Sequence, residues 1–147
     1  MTGILEHIRD ITLFLNPSED SYRRLGEKKA PKYVTWSPEN RSQLIRIPAV
    51  KNKRKRIELR SPDPTANPYL AFALLIYAGM DGIERKLPLQ KPANVNLYTA
   101  DHKVTDQLRK LPESRGEAWD AATASALVKK VLPEAYLDVY KNPPKTR

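Results

Sequence analysis

The chain contains no cysteine, which excludes disulfide cross-links and thiolate metal centres. Glycine is scarce, five residues against thirteen prolines. That ratio favours stiff connections over flexible linkers, and no Gly-rich phosphate loop is present. No apolar run approaches the roughly 20 residues of a membrane span. The N-terminus, Met1-Thr2-Gly3-Ile4-Leu5-Glu6-His7, lacks the charged start and apolar middle of a signal peptide. The only histidines, His7 and His102, lie far apart; each reads as an ordinary surface residue, and no Ser/His/Asp set is credible. Acidic residues are in deficit, 17 against 26 Lys and Arg, for a net charge of +9. Such a balance points to phosphates, carboxylates or a nucleic acid as partner, or to an acidic complement supplied from elsewhere. The remaining features, 147 residues without repeats or low-complexity tracts, fit a single cytoplasmic domain that buries about two-thirds of its unfolded surface.

Taken in order, Ile4, Ile8, Ile11 and Leu15 fall at helical spacing and predict a helix from about Leu5 to Leu15, closed by Asn16-Pro17. It starts almost at Met1 with no capping residue, as in a chain cut within a larger domain or one whose first turn simply frays. The polar and charged stretch Ser18–Pro31, which contains Ser21 to Gly26, reads as loop or short helix. Lys32–Ser37, Gln43–Ile47 and Arg56–Arg60 read as strands, with a turn at Pro38–Ser42 and a basic loop at Lys51–Lys55. Short connections between them suggest an antiparallel meander. Asn67 is the expected N-cap, and Pro68 the first residue, of the longest helix, running to about Lys86. Its expected buried stripe is Leu70, Ala73, Leu74, Tyr77 and Ala78, with close packing at Gly79. Asn94–Tyr98 reads as an exposed loop. Short helices follow over Asp106–Lys110, Glu117–Ala124, Ala126–Leu132 and Pro133–Tyr140, and the tail Asn142–Arg147 as disordered. The fold class is α+β: a small antiparallel sheet with helices packed on it and a helical C-terminal region.

The stretch Arg56-Ile57-Glu58-Leu59-Arg60 organises the rest. Side chains of a strand alternate faces, so Ile57 and Leu59 point one way and Arg56, Glu58 and Arg60 the other, with neighbours about 6.8 Å apart. At that range an opposite charge is worth about 2 kcal/mol at an effective dielectric near 20. This keeps Glu58 ionised without making a tight ion pair. A solvated face explains these five residues by themselves. A site is the alternative, since a carboxylate can hold Mg²⁺ or Mn²⁺ and guanidiniums can hold carboxylate or phosphate. Arg24, Arg41, Arg46 and Lys53 fall where they could join Arg56 and Arg60 on one face. So many cations repel one another unless anions sit among them.

Asn16-Pro17 followed by Ser21-Tyr22-Arg23-Arg24-Leu25 resembles the N-P-x-x-x-S-Y-[KR]-R-L motif of bacterial type I glutamine synthetases. Asn40-Arg41-Ser42, Ile45-Arg46-Ile47-Pro48, Arg56-Ile57-Glu58-Leu59-Arg60, Pro62-Asp63, Asn67-Pro68-Tyr69-Leu70 and Ala78-Gly79-Met80-Asp81-Gly82-Ile83 follow in the family's order. The resemblance runs from about Gly3 to Leu87 and continues weakly to the C-terminus. Residues 1–87 would be the core of the family's C-terminal catalytic region, part of its open barrel, and residues 88–147 a helical extension within one partial domain.

The resemblance implies a ligase that makes glutamine from glutamate, ammonia and ATP through γ-glutamyl phosphate. It implies a metal-binding role for Glu58, glutamate binding by Arg24, Arg41 and Arg60, and ATP binding by Arg41, Arg46, Lys53 and Arg56. Arg41 and Arg60 would also serve catalysis. Tyr98 resembles a tyrosine that some members adenylylate. Mg²⁺ or Mn²⁺ would accompany ATP in the full-length enzyme, with none expected to bind this chain tightly.

Two departures stand out. The family's N-terminal domain and the first half of its catalytic domain are missing, and with them the other metal-binding residues; one glutamate cannot hold several divalent ions against several arginines. Lys29 stands where many members carry a gating glutamate. The chain is therefore expected to be inactive alone, with homo-oligomers or full-length synthetase subunits as partners. A non-catalytic decoy that binds full-length enzyme is the alternative. Nonspecific nucleic-acid binding through Lys51–Arg56 is a minor one; neither a membrane nor a specific nucleic acid is expected as partner.

Overall fold

A computed structural model describes residues 1–27, 29–49 and 56–141. Lys53, the rest of the basic loop 51–55 and the tail 142–147 lie outside the described residues. The helix α1 (Thr2–Leu15) is the centre of the molecule. Ile8, Ile11, Leu13, Phe14 and Leu15 are fully buried, so the stripe predicted from spacing widens into a helix covered on nearly every side over its second half. No side chain caps its start. It ends where Asn16 leaves helical geometry ahead of Pro17.

The helix α2 (Glu19–Arg24) follows, capped by Ser18, whose side chain accepts from the Ser21 N–H, with Glu19 and Asp20 in its first turn and Arg23 and Arg24 in its last. Both charge placements complement the helix dipole. Three short strands come next: β1 (Trp36–Pro38), β2 (Ile45–Ile47) and β3 (Glu58–Leu59), in the order β1-β2-β3. The α+β class holds, but the sheet is mixed: β2 and β3 are antiparallel and β1 and β2 parallel. A parallel connection usually needs a dozen or more residues. Here residues 39–44 suffice because a three-residue strand advances only about 7 Å. Glu39 reverses the chain at φ 68, and the loop refills the core with Leu44 while Ser42 and Gln43 are buried beside it.

The helix α3 (Pro68–Glu84) begins as expected, with the Asn67 side chain accepting from the N–H groups of Tyr69 and Leu70. It runs back along α1: the Asp63 N–H donates to the Leu15 carbonyl at 2.8 Å, while Gly82 sits against Gly3 at the other end. Its buried stripe is Ala71, Leu74, Ala78 and Gly82, rotated from the predicted one; Tyr77 is exposed. The close approach is also displaced. A Cβ on Gly79 would meet nothing within 4 Å, whereas one on Gly82 would lie 2.5 Å from the Gly3 nitrogen. Only a helix without side chains at both points lets the two backbones touch. Next to this crossing His7 is half-buried rather than a surface residue, with Nε2 2.7 Å from an Asp81 oxygen and Nδ1 3.3 Å from an Asp10 oxygen.

The C-terminal helices are α4 (His102–Thr105), α5 (Arg115–Ala124), α6 (Ala126–Val131) and α7 (Glu134–Lys141). The predicted helix at Asp106–Lys110 is replaced by α4, which Asp101 caps through the Lys103 N–H. Ala118 and Ala122 of α5 and Val128 of α6 are fully buried in the same core as α1. Ser125 ends α5 and caps α6, and its hydroxyl donates to Asp10 at 2.8 Å. Tyr140 of α7 closes on Phe14, ring centroids 4.8 Å apart.

Candidate active site

Strand register places Arg46 of β2 directly opposite Glu58 of β3. The guanidinium grips the carboxylate with both prongs: Nε donates to Oε1 at 3.2 Å and the second nitrogen to Oε2 at 2.6 Å. Arg60, two residues on along β3's exit, donates to the same Oε1 at 3.2 Å. The expectation of a loose pair from along-strand spacing is thus corrected. The neighbour across the strand pair is nearer than the neighbours along it, and a bidentate fork draws the charges into contact. The hydrogen bond from Arg46 holds the Glu58 carboxyl below its usual range, against some desolvation, with the charges of Arg46, Arg60 and Arg41 adding. Reciprocally, the same hydrogen bond raises Arg46.

Arg60 also donates to the Lys29 carbonyl at 2.8 Å. Lys29 sits at φ 73 with its side chain in solvent, so it meets the site through its backbone. Arg24, at the end of α2, donates to Asn16 Oδ1 at 3.1 Å and to the Ser61 carbonyl, and lies 3.8 Å from an Asp63 oxygen. Among the described residues the buried Nε atoms of Arg24 and Arg60 have no hydrogen-bond partner. Arg41 is exposed in the β1–β2 connection, close enough to act on Glu58. Arg56 is exposed just before β3. Arg46 and Arg60 therefore meet at Glu58, and Arg41 adds its charge from the β1–β2 connection, while Arg24 is bound to the crossover 61–63.

Tyr98 joins this group. The segment predicted as an exposed loop is pinned from beneath: the Leu97 N–H donates to Ser42 Oγ at 2.9 Å, and the Asn40 and Gln43 side-chain amides both donate to the Val95 carbonyl at 2.9 Å. Leu97 is buried. The Tyr98 hydroxyl donates to the Arg41 carbonyl at 3.4 Å. Desolvation raises its pKa while the Arg60 charge opposes. A depression of about 170 Å³ lies alongside, lined by Gly26, Lys32, Tyr33, Ser42, Leu97 and Tyr98. The sequence marked Asn40 and Ser42 as part of a motif and Gln43 as the start of a strand, but not their role in pinning the segment 95–97. The one signal available was a glutamine next to an apolar strand, which needs a partner when buried.

No group of three or more metal-capable side chains occurs among the described residues. The donor set at hand is one carboxylate already matched by two guanidiniums, which does not fit a divalent ion by itself. What the arrangement can do is grip oxyanions: guanidiniums meet from β2 and from the end of β3, with the Arg41 charge nearby and an unused Arg60 donor between them.

The fold is an α+β framework with arginines around one carboxylate on a small sheet, and comparison with known proteins gives its family. Residues 1–145 match the family model described as the glutamine synthetase catalytic domain. Similar proteins include the glutamine synthetase of Methanosarcina mazei, 45% identical over 141 residues, covering 94% of this chain and 32% of that relative. That of Pyrococcus furiosus is 42% identical over 137 residues, covering 91% and 31%. That of Staphylococcus aureus is 40% identical over 133 residues, covering 88% and 30%. A solved structure titled "GmaS/ADP complex-Conformation 1" matches with a TM-score of 0.82 at 30% identity, covering 95% of this chain and 33% of that one. The chain belongs to the glutamine synthetase catalytic-domain family, and it spans about a third of the length of the curated relatives it matches.

Proposed function

We propose that this chain is the arginine-bearing part of a type I glutamine synthetase catalytic site. The observation that carries the reading is the contact of Arg46 and Arg60 with Glu58, with the Arg41 charge acting from the neighbouring connection. In the family reaction the γ-phosphoryl group of ATP passes to the γ-carboxylate oxygen of glutamate, and ammonia then displaces phosphate to leave the amide. Charge moves with the phosphoryl group, and fixed guanidiniums stabilise it as it moves. On this reading Arg24, Arg41 and Arg60 hold glutamate, and Arg41, Arg46, Arg56 and Lys53 hold the ATP phosphates, with Arg41 and Arg60 serving the transfer. Glu58 is the one metal ligand the chain contributes; the others belong to the two-thirds of the enzyme not spanned here. Tyr98, with its hydroxyl at the edge of the arginine cluster, is the site open to nucleotidyl modification. On the family resemblance, the working enzyme would be a cytoplasmic homo-oligomer.

One carboxylate tied up by two arginines cannot assemble the metal cluster, so the isolated chain does not turn over. The check is a biosynthetic and γ-glutamyl-transfer assay on the purified 147-residue chain. No metal- and ATP-dependent product is expected, and clear turnover refutes the reading. A second reading, a non-catalytic protein that binds full-length synthetase subunits, is favoured by the uncovered apolar face of α3. Co-purification with full-length enzyme supports it, and indifference to that enzyme counts against it. Nucleic-acid binding is the weakest reading, because a substrate site accounts for the arginines; any binding to DNA should vanish at modest salt.

A further inference from the structure

Pro68 to Met80 is a stretch of α3 without a charged residue. One side of the helix, with Leu74 and Ala78, lies against α1. The opposite side is equally apolar, and nothing covers it among the described residues: Tyr69 is 83% exposed, Phe72 65%, Ile76 63% and Ile83 71%. These side chains fall in two rows at heptad spacing. Tyr69, Ile76 and Ile83 are seven residues apart, and so are Phe72 and Gly79. That is the pattern by which one helix takes the knobs of another. Gly79 is the odd member. Glycine is a poor helix former, and a Cβ at this position would meet nothing within 4 Å, so no contact among the described residues accounts for it. Set among large side chains on an outward seam, it leaves a hole that a facing ring can fill.

We propose that a second copy of this chain docks on this face, α3 against α3, antiparallel about a two-fold axis at Ile76. Ile76 is the midpoint of the 17-residue helix. An axis there sets Tyr69 opposite Ile83 of the second copy, and Phe72 opposite its Gly79–Met80 step. Each ring then enters the hole that the other copy leaves, and Ile76 packs on itself. The face is complementary to itself, as an isologous dimer requires. Its core carries no charge to desolvate, and antiparallel helices set opposite dipole ends side by side. Each copy offers about 600 Å² of exposed side chain. The pair then buries about 1,000 Å² in all, the lower limit for a specific interface, so the dimer is weak, with a Kd on the order of 10 µM. The formal charge of +9 on each copy opposes association at long range, and salt screens it. The proposal stands on the surface of α3 and not on the catalytic reading above.

Sedimentation velocity on the 147-residue chain, from about 1 to about 200 µM, tests it. A shift from monomer to dimer is expected that stops at the dimer and strengthens as salt rises. Gly79→Glu puts a charge on the seam where the folded chain has open space. It should keep the wild-type circular dichroism and weaken association at least about ten-fold. Ile76→Glu, at the exposed centre of the seam, should do the same. Cross-linking reads the register, since the chain has no native thiol. Ile76→Cys alone should give a covalent dimer with a short thiol-to-thiol reagent. Tyr69→Cys alone should not, because its two copies lie about 20 Å apart along the helices, yet a mixture of Tyr69→Cys with Ile83→Cys should. A chain monomeric at about 200 µM, association that continues past the dimer, or folded Gly79→Glu and Ile76→Glu variants that pair like the wild type overturn the proposal. Cross-linking at Tyr69→Cys equal to that at Ile76→Cys overturns it as well. A chain that stays monomeric but binds full-length synthetase through this face assigns the face to that enzyme and equally overturns it.

Discussion

Two alanine substitutions three residues apart on α3 should have opposite signs. A Cβ on Gly82 would lie 2.5 Å from the Gly3 nitrogen and 2.6 Å from its Cα. Both obstacles are backbone, so no rotamer relieves the clash, and α1 and α3 must part by about 1 Å to regain ordinary contact. Overpacking of this kind costs about 1–3 kcal/mol, and separation loosens Leu74 and Ala78 against α1 as well. Alanine's better helix propensity returns up to about 1 kcal/mol. Gly82→Ala should therefore lose about 1–2 kcal/mol net. A Cβ on Gly79 meets nothing within 4 Å, so Gly79→Ala keeps the propensity gain, about 0.5–1 kcal/mol. For a domain of this size each kcal/mol moves the midpoint by about 2–4 °C. Urea and thermal unfolding followed by circular dichroism measure both. Equal stability of the two variants, or a Gly82→Ala more stable than wild type, means the helix backbones do not touch and the core described above is wrong.

Other outcomes follow from the charged groups. Glu58→Gln leaves Arg46 and Arg60 facing each other without an anion; it should lower the urea midpoint, partly restored by added sulfate, and an unchanged midpoint would show the pair to be energetically idle. Glu58, Asp81 and Glu113 are each held below their ordinary values of 4.5, 3.8 and 4.5 by hydrogen bonds from Arg46, His7 and Lys32 respectively. The unfolded chain then binds more protons, so their stabilisation is complete above the ordinary values and drains away as pH falls through the folded ones. A thermal midpoint that stays flat from about pH 6 to about pH 3 contradicts this. At the other end, burial raises Tyr22 well above its ordinary 10.0, so stability should fall as pH climbs past that value and the unfolded phenol ionises first. Its hydroxyl has no partner among the described residues. Tyr22→Phe should therefore cost little at neutral pH and flatten the alkaline limb; a steep limb retained in the variant assigns the loss to another group.

The amino-acid order by itself determined the local pieces. Helical spacing marked α1, and Asn67-Pro68 marked the start of α3, because caps and periodicity are properties of neighbours in the chain. The arginine motifs were equally legible, since residue types at short spacing carry the family's pattern. Only the tertiary structure decided which arginine holds Glu58. Arg46 reaches it through cross-strand register, a relation between residues twelve apart in sequence that along-strand geometry cannot supply. The same holds for the parallel pairing of β1, for the Gly3–Gly82 contact in place of one at Gly79, and for the docking of Leu97 and Tyr98 on Ser42. Each depends on where a distant segment arrives, and sequence-local physics fixes conformation but not arrival.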